Sequence, residues 1–264
     1  MGRIRERFRQ LKENGEKALV AYIVAGDPDM EITKEIILGM KDAGVDIIEL
    51  GVPFSDPTAD GPVIQSASGR ALSRGTNLPG ILDMVESVNT FADIPIVLFG
   101  YYNPLFTYGN KRFAQRAGFS GVDGILVVDL PPEESRELRR YTDPVDIDFI
   151  SLLSPTTSSG RIEKISKEAS GFLYYVSITG VTGTTKPRAE DIRKEMKRVK
   201  GITDMPVVVG FGISTPEQAG EIAPYADGIV VGSAFVRMIE EHAKDSNIVK
   251  IVSDYAKKIK TAIE

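Results

Sequence analysis

Eight short runs rich in Val, Ile and aromatic residues recur along the chain, at 18–26, 46–53, 95–103, 124–131, 148–155, 172–180, 206–214 and 228–235. Each has the β-branched content and the length of a strand. Between them lie segments whose apolar residues return every three or four positions, among them EITKEIILGMKDAG (31–44), ILDMVESVNTF (81–91), RIEKISKEAS (161–170) and AEDIRKEMKRVKG (189–201). Strands that alternate with helices cannot close as hairpins; each crossover helix returns the chain to start a parallel neighbour. Eight such units in 264 residues match a closed (β/α)8 TIM barrel. The expectation is one α/β barrel domain over 1–264. The runner-up is an open doubly wound sheet, whose dinucleotide-binding form wants a G-x-G-x-x-G turn that the first strand lacks. Two further helical patterns, at 3–13 and 63–74, are surplus to the eight units, so an extra N-terminal helix and a second helix should plug or decorate the barrel.

The second run, DIIELGVP (46–53), carries an acid where a buried strand should be apolar. Side chains alternate faces along a strand, so Ile48, Leu50 and Val52 share one side and Ile47, Glu49 and Gly51 the other. The purely aliphatic side belongs against the helices. Glu49 then points into the barrel near the C-terminal end of its strand, where barrel enzymes place their chemistry. A structural salt bridge is the bland alternative, yet the strand interiors offer no Lys or Arg to complete one. Asp60 follows in the loop leaving the same strand. By itself A-D-G-P reads as turn chemistry; paired with Glu49 it is a candidate second carboxylate. Asp56, in S-D-P, reads as a turn former.

The last two runs end in GFGIS (210–214) and VGSAF (231–235). Barrels of this kind bind phosphate after these strands, using backbone N–H groups and a short helix N-terminus. Gly212, Gly232 and Ser233 are the candidate cradle, against ordinary tight turns. The loop TGVTGTTKPR (179–188) has the composition of either a lid or a plain flexible connection, and Thr182 and Gly183 lie in it.

The inventory excludes much chemistry. The chain has no cysteine and one histidine, His242, in the helical run FVRMIEEHAK, so thiolate catalysis and a Cys/His metal site are not expected. No lysine lies in the C-terminal half of a strand, where an imine-forming aldolase needs one; Lys186, in the 179–188 loop, is the weak exception. Acid–base work by carboxylates remains, with Glu49 held neutral by desolvation and Asp60, nearer solvent, ionised. Breaking a bond this way requires a substrate whose own π-system accepts the electrons. A net charge of −5 argues against a nucleic-acid or anionic-membrane surface, and no apolar run is long enough to span a bilayer. With no apolar signal core at the N-terminus, the expected compartment is cytoplasmic.

The stretch IELGVPFSDPTADGPVIQ (48–65) resembles the tryptophan synthase alpha chain family, as do YIVAGDPD, YYNPLF, VVDLPPEES, YYVSITGVTG, VVVGFGIS and VVGSAF, in collinear order over essentially the whole chain. The resemblance implies a barrel lyase that splits indole-3-glycerol phosphate into indole and glyceraldehyde 3-phosphate. It makes Glu49 the proton shuttle and Asp60 the group that steadies positive charge at the indole N–H. Tyr174 matches the family's active-site tyrosine, with Tyr175 facing away. Gly183, Gly212, Gly232 and Ser233 match the phosphate cradle, and Tyr22 and Phe211 match positions around the substrate. Tyr22 stands where bacterial members commonly have phenylalanine, and a packing role for it is equally open. The resemblance further implies no cofactor on this chain and an alpha2-beta2 tetramer with a pyridoxal-phosphate beta chain. Pro53, Asp56 and Pro57 would face that partner. Two rivals stand beside this reading. One is another phosphate-binding barrel, an isomerase or cyclising synthase, disfavoured by the missing strand lysine. The other is a regulatory or binding subunit whose barrel has lost turnover.

Overall fold

The computed structural model describes residues 2–176, 189–210 and 212–264. Its strands are β1 (Ala18–Val24), β2 (Ile47–Gly51), β3 (Ile96–Gly100), β4 (Gly124–Val127), β5 (Asp148–Phe149), β6 (Ser151–Leu153), β7 (Leu173–Val176), β8 (Val207–Gly210) and β9 (Gly228–Val231). All pairings are parallel, in the order β5-β4-β3-β2-β1-β9-β8-β7-β6. The run expected as one strand at 148–155 is thus two short ones. β5 pairs with β4 and β6 pairs with β7, and Ile150 between them donates its N–H to the Ile125 carbonyl at 2.9 Å. The two pieces form one stave that passes its ladder from one neighbour to the other. Nine strands therefore make eight staves, and the sheet closes as a (β/α)8 TIM barrel.

The helices are α1 (Arg3–Asn14), α2 (Met30–Asp42), α3 (Pro62–Ser73), α4 (Leu78–Phe91), α5 (Tyr102–Tyr108), α6 (Asn110–Ser120), α7 (Arg136–Thr142), α8 (Ser159–Glu168), α9 (Ala189–Lys200), α10 (Pro216–Ile222), α11 (Ser233–Glu241) and α12 (Ile248–Ile263). Polar caps start several of them: Asp29, Asn77, Ser158 and Thr215 each accept from a backbone N–H three residues on. The surplus helices expected at 3–13 and 63–74 are α1 and α3. Two more, α5 and α11, begin inside runs expected to be strand to 103 and to 235. In both cases the strand is exhausted at the barrel rim and the chain turns into a helix across it. His242 falls just past the end of α11 rather than within it.

Alternation along the strands divides the apolar residues into two bodies. Leu19, Ile48, Leu50, Leu98, Tyr175 and Val209 pack outward against the helices. Val20, Tyr22, Ile47, Val97, Phe99, Tyr174 and Val208 fill the barrel, and Ile4, Phe8 and Leu11 of α1 close its floor. The Phe8 and Phe172 rings lie 5.7 Å apart there. Among the described residues, no helix is long and apolar enough to cross a membrane.

The floor also has a polar order. Near the start of each odd stave, one N–H is accepted by a side chain that leads into the next stave. Asp46 takes Leu19 N–H at 2.8 Å, Asp123 takes Ile96 at 2.8 Å, Ser170 takes Phe149 at 2.8 Å, and Asp227 takes Val207 at 2.9 Å. Asp46 is pushed up from the ordinary carboxylate range by burial, while the Lys260 ammonium 3.0 Å away pulls it back. Lys260, on α12, is itself buried and also donates to the Lys17 carbonyl at 3.0 Å. Removing one member of such a pair strands the other charge. Lys260→Met is expected to lower unfolding stability by about 3–5 kcal/mol in urea titrations. Lys260→Met with Asp46→Asn, which keeps an acceptor for Leu19, should recover most of that loss.

Candidate active site

At the C-terminal end of the barrel the staves deliver their inward side chains to one cavity. Glu49 stands in register with Tyr22 on one side and Val97 on the other. Its residue exposure is 0%, and neither carboxyl oxygen has a hydrogen-bond partner among the described residues. Desolvation alone pushes its pKa up to about 8. An ionised carboxylate in such surroundings is costly, so Glu49 holds its proton at neutral pH. The inward orientation expected from the alternation is what is found.

Two tyrosines wall this acid. Tyr22 and Tyr174 are both buried, and their phenols are pushed well above the ordinary value, first by desolvation and then by neighbouring acids, which for Tyr22 are Asp60 and Glu49 and for Tyr174 is Glu49. Tyr22 packs edge-on to Phe99, with ring centroids 5.2 Å apart. Glycines make the room. A Cβ on Gly51 would overlap the Tyr22 hydroxyl, and one on Gly210 would overlap the Tyr174 hydroxyl. Gly51 and Gly210 were not singled out from the sequence, since a strand glycine carries no mark of what fills the space beside it. Tyr175 faces outward and donates its hydroxyl to Glu195 at 3.2 Å.

Asp60 comes from the loop between β2 and α3, immediately before Gly61, the N-cap of α3. The Gln65 amide donates to its carbonyl at 2.8 Å, and its own N–H bonds to Pro57 O at 3.1 Å. Expected nearer solvent, it is instead half-buried, and burial pushes its carboxyl up to about 6 against a hydrogen bond from Tyr101 that lowers it. It still ionises before Glu49. Tyr101, at the rim beyond β3, is 4% exposed, accepts the Ala59 N–H at 2.9 Å and has its phenol pushed up to about 12. It holds the Asp60 loop from two sides. Its place directly after a strand was the available sequence signal.

Gly212, Gly232 and Ser233 line the same cavity. Gly212 has φ +84°, a conformation that L side chains resist. Gly232 is the N-cap of α11 and Ser233 its first residue, with no side chain capping that end. Its first-turn N–H groups are thus available to an anion, with the helix dipole in support. Thr182, Gly183, Lys186 and Phe211 lie outside the described residues.

The loop expected to meet a partner is mixed. Pro53 is buried within the chain's own fold, Asp56 is exposed and accepts from the Ser55 hydroxyl, and Pro57 is half-buried. The Phe54 ring packs on Tyr101 at 5.4 Å, tying this loop to the residue that holds Asp60.

A dry acid, a more easily ionised acid and a helix end with no side-chain cap converge on one apolar cavity, and similarity gives the same direction. The tryptophan synthase alpha chain family model matches residues 8–264. A tryptophan synthase alpha chain of Geobacter sp. (strain M21) is 54% identical over 242 residues, covering 92% of this chain and 91% of that one. One of Desulfatibacillum aliphaticivorans is 52% identical over 262 residues, 99% of each chain. The crystal structure of tryptophan synthase subunit alpha from Legionella pneumophila str. Paris superposes with a TM-score of 0.93 at 38% identity, covering 100% of this chain and 98% of that one. The chain belongs to the tryptophan synthase alpha chain family.

Proposed function

We propose that this chain, as a single barrel domain over 1–264, is the lyase of tryptophan biosynthesis that cleaves indole-3-glycerol phosphate to indole and glyceraldehyde 3-phosphate. The observation that carries the residue assignment is Glu49: a carboxyl with no partner and no cation among the described residues, protonated at neutral pH and aimed into the cavity. Its proton goes to indole C3. The ring becomes an iminium, with positive charge centred on N1–H, where the ionised Asp60 stabilises it. The Glu49 carboxylate so formed then takes the proton of the hydroxyl on the carbon next to the ring. That carbon becomes the aldehyde, the C–C bond breaks, and its electron pair returns to the ring as neutral indole. Glu49 ends protonated, ready for the next cycle. The heterocycle serves as electron acceptor, so an imine-forming lysine is not needed.

The remaining residues bind and orient. The first-turn amides of α11 with Gly232, Ser233 and Gly212 hold the phosphate. Tyr22, Phe99 and Tyr174 form apolar walls around the indole, and exclusion of water strengthens the Asp60 interaction. Phe211 is proposed to complete this surround, and Thr182 and Gly183 to reach the phosphate. The chain is proposed to work in the cytoplasm without a cofactor of its own, in an alpha2-beta2 tetramer with a beta chain. That partner carries the pyridoxal phosphate and joins the released indole to L-serine. Asp56 and Pro57, with Pro53 behind them, are assigned to that contact. A barrel that has lost turnover has no observation in its favour, because both acids are in place.

Replacing Glu49 by Gln keeps size and removes the proton. Indole release should fall by on the order of 10²–10⁴, while glycerol 3-phosphate binds within a few-fold of normal. A folded variant with near-normal turnover removes Glu49 from the proton transfer. The same substitution has a stability signature. Below pH about 4.5 the Glu49 carboxyl is protonated in both folded and unfolded chains; between that value and about 8 the unfolded chain loses the proton and the folded one keeps it. The folded state binds more protons in this window, so wild-type stability should fall as pH rises through it. In Glu49→Gln that contribution is absent, and urea titrations across the window should show a shallower pH slope.

The two acids also set a pH profile. Activity needs Asp60 ionised and Glu49 protonated, so kcat/KM should be bell-shaped, rising near 6 and falling near 8. Asp60→Asn should remove the acid limb and leave the alkaline one. An alkaline limb that persists unchanged in Glu49→Gln would assign it to another group.

A further inference from the structure

We propose that Arg70 is a positioning residue for the cleavage, fixing the helix that follows Asp60 relative to the helix that presents the anion site. The inference rests on the lyase reading above and adds to it a residue outside the cavity.

Arg70 lies on α3, the helix whose N-cap, Gly61, directly follows Asp60. Its Nε and Nη2 donate to the two carboxyl oxygens of Asp27 at 2.9 and 2.8 Å, a fork-to-fork pair. Asp27 sits in the loop leaving β1 and is 2% exposed, so this acid is anchored in the barrel rim. The remaining arm, Nη1, donates to Ser66 Oγ at 2.8 Å and to Glu240 in the last turn of α11. One guanidinium thus binds the rim, α3 and α11 at once.

Both helices are surplus to the barrel, and both deliver functional groups from their N-terminal ends. The substrate reaches from one to the other: its phosphate lies on the first turn of α11 and its ring nitrogen faces Asp60. The separation of those two groups is a property of how α3 sits against α11, not of the staves. Arg70 sets that relation at the far ends of both helices, and Asp27 ties it to the frame. Only a guanidinium supplies the three directed nitrogens; a lysine ammonium keeps the charge but cannot make the paired bonds. An error on the order of 1 Å in placing Asp60 is enough to cost about 10²-fold in rate.

The test uses the full chain, with indole release from indole-3-glycerol phosphate and binding of glycerol 3-phosphate measured on the same preparations. Glycerol 3-phosphate occupies the anion end alone. Arg70→Gln and Arg70→Lys are each expected to lower kcat by about 10–100-fold while glycerol 3-phosphate affinity stays within about threefold. Asp27→Asn should act in the same direction, and Asp27→Asn with Arg70→Gln should lose no more than the worse single variant, because the pair works as a unit. Far-UV circular dichroism and thermal melting check folding; Arg70→Lys, which retains the cation, serves if Arg70→Gln does not fold. A kcat within about twofold of wild type in either folded variant overturns the proposal. So does a loss of glycerol 3-phosphate affinity as large as the loss of kcat, which would mean general loosening. Wild-type chain that releases no indole, even with its beta chain, overturns the lyase reading itself, and is told apart because it does not involve the variants.

Discussion

The carboxyl of Glu49 is kept from water and, among the described residues, from every cation, and the rest of the site follows from that. In bulk water the group would be ionised at neutral pH and useless as an acid toward a ring carbon. Inside the barrel the cost of desolvation holds the proton on it. The floor offers the contrast within one molecule. Asp46 is also buried, but Lys260 and the Leu19 N–H satisfy it, and its role ends in structure. The mouth withholds the same satisfaction from Glu49. On the proposed reading, a pair of acids in unequal surroundings then divides the labour: the drier one carries a proton, the wetter one carries a charge.

The barrel alone does not make the cavity. Its staves supply Glu49 and the tyrosines, and glycines at inward positions supply the space that the phenols occupy. The anion site and Asp60 come from elements laid over the rim. α1 closes the floor with Ile4, Phe8 and Leu11, while α3 and α11 partly cover the mouth. Stability and chemistry thereby sit at opposite ends of the same strands, as barrel architecture favours.

Much of this was legible in the chain. The βα alternation gave the barrel, and the period of two put Glu49 inward. The glycines after the last two staves pointed to the proposed anion site. What escaped was whatever depends on residues distant in sequence. The run at 148–155 is continuous in composition and gives no sign that its ladder changes sides at Ile150. The raised carboxyl of Asp60 depends on how deeply its loop packs under Tyr101, which arrives from another stave. The first residues of α5 and α11 read as strand because apolar residues at a strand end and in a helix's first turn look alike over a few positions. Arg70 belongs to a helical pattern that was recognised, but its partners Asp27 and Glu240 are far away along the chain.

The hydrogen bonds at the floor divide the molecule in another way. Asp46, Asp123, Ser170 and Asp227 each complete the stave just before their own. Every odd stave takes one side-chain acceptor from its immediate successor, while backbone carbonyls accept other floor amides, as Asp227 O does for Ala18 at 3.0 Å. The repeating module is therefore a consecutive pair, and four such pairs build the ring. A chain made from its N-terminus can form each of these side-chain bonds as soon as the second member of the pair begins to emerge. Duplication or exchange of a whole pair would carry its own side-chain acceptor with it, whereas cutting between an odd stave and its even successor would separate donor from acceptor.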